Sequence, residues 1–187
     1  MALLDIIGGG VLWFWNFFLD WLYIFISPIE NFQVLWIIIP VWISWFFGEF
    51  FQEKHGTNLG NALSNGVIPI WVAIDWTRLL SNQLSDGIIQ LTPQVVMKLG
   101  ICAAVLIYGI TVITLGIRGH PFAPLIGRVR EVTYVMVCFT PIIYGIIVLS
   151  WSFFLGVVVF FPLFYYAIEM IDTYTPDPKA LEMDSRK

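Results

Sequence analysis

The stretch GVIPIWVAIDWTRLLSNQ, residues 66–83, is apolar at most positions yet places Asp75 and Arg78 one helical turn apart. Its uninterrupted part, residues 67–80, is 14 residues, about 21 Å of helix at ~1.5 Å per residue. Whether it crosses a bilayer or lies along one decides between two architectures, and the surroundings have to arbitrate.

Those surroundings are apolar. The chain has 187 residues, 59% hydrophobic, 17% aromatic and 12% charged, with a mean hydropathy of +0.84. A soluble domain averages roughly 25% charged residues, so this chain has too little polar surface to cover a water-soluble globule. Lipid is the alternative solvent, and in lipid only helices or closed barrels satisfy every backbone group. The apolar runs are continuous rather than alternating at period two, which selects helices. The expected fold is all-α, a polytopic transmembrane helical bundle.

Spans need about 20 apolar residues each. Upstream of the opening stretch, residues 11–26 end at Ser27-Pro28, and residues 34–51 contain Pro40 as a kink. QEKHGTNLGNALSN, residues 52–65, has the Gly, Asn and Ser content of a loop. Downstream, residues 95–117 form the clearest span, followed by the basic loop RGHPFAPLIGRVRE, residues 118–131. Residues 132–171 are a 40-residue apolar block, about two spans, divided at Ser150-Trp151-Ser152 with Pro141 and Pro162 bending the halves. Six spans result; five, with the third segment re-entrant or interfacial, is the alternative. Residues 1–171 form a single membrane domain, and residues 172–187, with four acids and three bases, a polar tail.

Lys and Arg set orientation. Arg118, Arg128 and Arg130 mark their loop as cytoplasmic, and six spans then bring Lys54, Lys179, Arg186 and Lys187 to the same side. Both termini are expected to be cytoplasmic, and MALLDIIGGG lacks a signal's basic n-region. The five-span alternative moves only Lys54 and the N-terminus outside.

Charged residues within the spans cost several kcal/mol unless paired, ~2.5–3.5 at the centre of a helix. In the six-span arrangement Asp20 lies near mid-depth of the first span, Asp75 and Arg78 in the outer half of the third, and Lys98 a turn from the outer surface, so two acids and two bases can meet at similar depth. Two readings follow: a structural ion-pair network fixing helix register, or a polar path for ions or protons. Arg118, Arg128 and Arg130, interleaved with Phe122, Leu125 and Ile126, suit anionic lipid headgroups. Three arginines in one short loop make no nucleic-acid footprint.

Glu49 and Glu53 lie four apart with His55 close behind, but the spacing fits no metal motif such as HExxH and reads as a wet helix end. No metal or cofactor is expected. Cys102 and Cys138 read as packing residues. Trp21, Trp36, Trp76 and Trp151 fit an outer aromatic belt, with the other five tryptophans filling gaps between helices. Gly100 and Ala104 offer a small-xxx-small step. IPVWIS at 39–44 and IPIWVA at 68–73 form a faint internal echo.

No nucleophile–base set is visible, so an enzyme is not expected. The leading expectation is a non-catalytic membrane protein with a structural or partner-binding role, its companion a membrane protein or a second copy. A small ion or proton channel or transporter through Asp20, Asp75, Arg78 and Lys98 is the alternative.

Overall fold

The computed structural model describes residues 2–54 and 56–176, with side chains from residue 8 onward. The described residues form helices and no strand. In chain order these are α1 (Ala2–Ile26), α2 (Phe32–Phe47), α3 (Leu59–Asn65), α4 (Val67–Ser85), α5 (Pro93–Ile117), α6 (Ala123–Ile126), α7 (Val129–Ile143), α8 (Trp151–Val159) and α9 (Phe161–Tyr174). A 3-10 turn, Ser27–Glu30, joins α1 to α2, and a π turn, Gly48–Gln52, ends α2.

Side-chain caps set several of the boundaries. Asn31, Asn58, Thr92 and Ser150 each accept a hydrogen bond from a backbone N–H in the first turn of the helix that follows, satisfying donors that have no partner within the helix. Ser150 therefore marks the division of the long apolar block at the position its sequence suggests. Pro162 lies in the first turn of α9, where a missing N–H costs nothing, so the second half of that block breaks at Phe160 into α8 and α9.

Four stretches are long and apolar enough to cross a bilayer: Gly8–Glu30, Phe32–Gln52, Pro93–Ile117 and Trp151–Tyr174. The other two expected spans, α4 and α7, differ in a telling way. With 19 residues α4 is longer than its apolar run suggests, about 28 Å of helix, because Ser81, Asn82 and Gln83 continue it. α7 has 15 residues, 12 of them buried. A helix buried around its circumference takes protein as its solvent and needs no lipid-facing stripe.

α7 is the central post. On one side Val132, Met136, Val137 and Ile143 pack with Ile37, Ile38 and Val41 of α2, Val72 and Trp76 of α4, and Cys102 and Val105 of α5. On the other, Tyr134, Cys138 and Ile142 pack with Phe17, Trp21 and Ile24 of α1 and with Phe153 and Phe160. The Trp21 indole donates to the Tyr134 hydroxyl at 3.0 Å, and that hydroxyl donates to the Val157 carbonyl at 2.7 Å, tying α1, α7 and α8 together. Both cysteines are buried and free, one in each cluster.

α4 packs most extensively against α5. The close approach comes at Gly109, where a Cβ would lie 2.7 Å from Ile70 Cγ1 and 2.9 Å from the Gly66 carbonyl oxygen. Gly100, the small residue singled out from sequence spacing, has open space where its Cβ would be. The tryptophans are also redistributed. Trp76 and Trp21 are core residues at 0% and 5% exposure, whereas Trp13, Trp15 and Trp71 are exposed. Trp36 and Trp151 remain on the surface, as an interfacial belt requires. The echoed segments are not equivalent in packing: Trp71 and Val72 are exposed and buried respectively, while their counterparts Trp42 and Ile43 are half-buried and exposed.

Candidate functional site: two polar clusters at opposite ends of the bundle

The first cluster gathers the end of α2, the start of α7 and the end of α9. A Cβ on Gly48 would lie 3.0 to 3.2 Å from the Val129 side chain, so glycine lets the end of α2 rest directly on the first residue of α7. The π turn that begins there swings Glu49 and Glu53 inward, and both are 0% exposed. Arg130, also 0% exposed, donates from Nε to both Glu49 carboxylate oxygens at 3.1 and 3.2 Å, and from Nη2 to Oε1. Its Nη1 reaches Glu169 Oε2 on α9 at 2.7 Å, and its guanidinium lies 4.4 Å from the Tyr165 ring centroid. Arg128 donates to the Tyr165 hydroxyl at 2.9 Å and stands 3.7 Å from Glu49.

Glu53 serves a different purpose. Its Oε2 accepts from the backbone N–H of Val129 at 3.0 Å and from the Thr57 hydroxyl at 2.6 Å, while the Asn65 amide donates to Oε1. Arg128, at the N-cap of α7, has no side-chain capping bond. Glu53 thus supplies from another element both the acceptor and the negative charge that a helix N-terminus favours. Asn65 also donates to the Gly127 carbonyl at 2.8 Å, and the Lys54 ammonium donates to the Thr175 carbonyl.

The basic loop therefore behaves unlike a lipid-facing patch at two of its three arginines. Arg130 has no exposed surface to offer a headgroup, and Arg128 is turned toward Tyr165 and Glu49. Arg118 is exposed, beside the exposed Phe122 and Leu125. The two glutamates expected on a wet helix end are buried instead. His55 lies outside the described residues, as do residues 177–187 of the expected polar tail; α9 itself continues to Tyr174.

The second cluster lies at the opposite end. Arg78 Nη2 donates to Asp75 Oδ1 at 2.7 Å, and the Tyr144 hydroxyl, just past α7, donates to Asp75 Oδ2 at 2.7 Å. Asp75 is buried, while the Arg78 side chain is 64% exposed. Asp75 thereby links α4 to the end of α7.

Of the other two charges expected in this network, Lys98 reaches the same end of α7 without joining the ion pair, and Asp20 stands apart. The Lys98 ammonium donates to the Ile143 carbonyl at 3.4 Å. Asp20 is exposed on α1 and lines a cavity against α8. Among the described residues neither forms an ion pair with Asp75 or Arg78. Between the two clusters lie the apolar contacts of Val72, Ala73 and Trp76 with Met136 and Val137. Comparison of the chain with protein-family models, curated proteins and solved structures finds no match.

Proposed function

We propose that this chain is a multi-pass integral membrane protein with a non-catalytic structural or partner-binding role, its buried ion pairs fixing the packing of its helices. The observation that carries this reading is the pairing of Arg130 with Glu49 and Glu169. Three helices converge on one guanidinium, and groups committed to each other in this way act as registration points rather than as a route for solutes. In this reading α4 and α7 cross with the four longer helices. The six crossings put both termini, Arg118 and the Glu49–Arg130 cluster on the cytoplasmic side, where Arg118 and Phe122 contact anionic headgroups.

A channel or transporter through Asp20, Asp75, Arg78 and Lys98 would need those groups along one continuous path. The apolar layer around Trp76 and Met136, and the separate position of Asp20, favour the structural reading. Reconstitution in liposomes tests it. Neither proton nor cation flux should exceed that of protein-free vesicles, and Asp75→Asn should lower thermal stability without altering flux. Flux that disappears in a folded Asp75→Asn protein would replace this reading with transport. A partner-binding role further requires that purification from native membranes recover a second protein, or a second copy, in fixed stoichiometry.

A further inference from the structure

Asp20 is the one intramembrane charge singled out by the sequence that the two polar clusters leave aside. It interrupts the apolar run FFLDWL of α1 within the candidate span Gly8–Glu30, where an unpaired charge is costly. Among the described residues nothing hydrogen-bonds or ion-pairs with it. It lines a cavity of about 330 Å³ between α1, α8 and the segment entering α8, together with Phe17, Trp21, Tyr23, Ser152 and Phe153. That volume lies within the range of small-ligand sites, which combine apolar walls with a few placed polar groups.

From this arrangement we infer that the cavity is a binding site for an organic ammonium group, held by the Asp20 carboxylate against the surrounding aromatic side chains. The chemistry selects that class. Aromatic rings attract weakly hydrated cations, and quaternary ammonium groups above all, and a carboxylate among them supplies the opposite charge. A hard inorganic cation needs about six oxygen ligands. Here Asp20 is the one carboxylate in a lining otherwise dominated by apolar and aromatic side chains, Ile24, Ile146, Ile147 and Val148 among them. Lys98 does not line the cavity, since its ammonium is held at Ile143.

Two sources carry that group: phosphatidylcholine presents a quaternary ammonium in its headgroup, and free choline carries the same group in water. The inference does not depend on the role proposed above, because the detergent-solubilised full-length chain suffices to test it.

Choline chloride is titrated into purified, delipidated protein by calorimetry against matched sodium chloride. In parallel, native mass spectrometry counts lipids retained from micelles containing phosphatidylcholine or phosphatidylglycerol. The wild type should bind choline or retain phosphatidylcholine in preference to the respective control, and Asp20→Asn should weaken that preference at least ten-fold with its melting temperature unchanged. Asp20→Glu, which keeps the charge, should retain it in part. Choline binding without lipid retention identifies a soluble ammonium ligand; phosphatidylcholine retention without choline binding identifies a headgroup site. Equal behaviour toward ligand and control in both arms, or an Asp20→Asn protein that binds as well as the wild type, overturns the inference.

Discussion

Arg130 and Glu49 pair with no exposed surface on either side chain, so removing either strands the other. Arg130→Met should cost about 3–5 kcal/mol, whereas Arg130→Met combined with Glu49→Leu should recover much of that loss. A double-mutant cycle in denaturant, read by helicity, measures the coupling. Glu169 is 52% exposed, and Glu169→Gln should cost no more than about 1 kcal/mol. The same contrast governs the opposite cluster. Tyr144→Phe removes a hydrogen bond to a buried carboxylate and should cost about 1.5–3 kcal/mol; Arg78→Gln, changing a largely exposed partner, should cost about 0–1 kcal/mol. Of these pairings, the sequence revealed only the one between Asp75 and Arg78, since three residues along a helix bring side chains into reach.

Helix boundaries were largely legible because capping is local. Ser150 reveals itself by residue type and position; Pro162, expected to bend a helix, instead stands in the first turn of a new one. Packing between helices was not, since spacing shows which small residues share a face but not which face meets a neighbour. Gly100 and Gly109 make the point testable. Gly109→Ala would drive a methyl into Ile70 and the Gly66 carbonyl and should cost about 1–3 kcal/mol by forcing α4 from α5. Gly100→Ala meets open space and should be neutral or mildly stabilising, glycine being about 1 kcal/mol poorer than alanine within a helix. Thermal unfolding in detergent distinguishes the two variants. α7 escaped recognition as a different kind of helix for a related reason: its composition resembles that of a span, and only its neighbours on both sides make it the central post.

For the whole molecule, the arrangement of ends is the property most open to experiment. Cysteines introduced at residues 54 and 86, which flank α4, should react with impermeant reagents from opposite sides of sealed vesicles, after Cys102 and Cys138 are replaced by alanine. Labelling of both from one side would remove α4 as a crossing and with it the six-span topology. By itself the sequence determined the helical class of this chain, its long apolar segments, its main breaks and its local ion pair. All of these follow from composition, from caps and from spacings within one turn. Only the tertiary structure decided that Arg130 meets Glu49 across 81 residues and Glu169 across 39, that Glu53 caps a distant helix, and that Asp20 stands apart at its own cavity. A buried charge has to find a partner, but that requirement acts through space, and chain separation carries no record of which partner packing will bring.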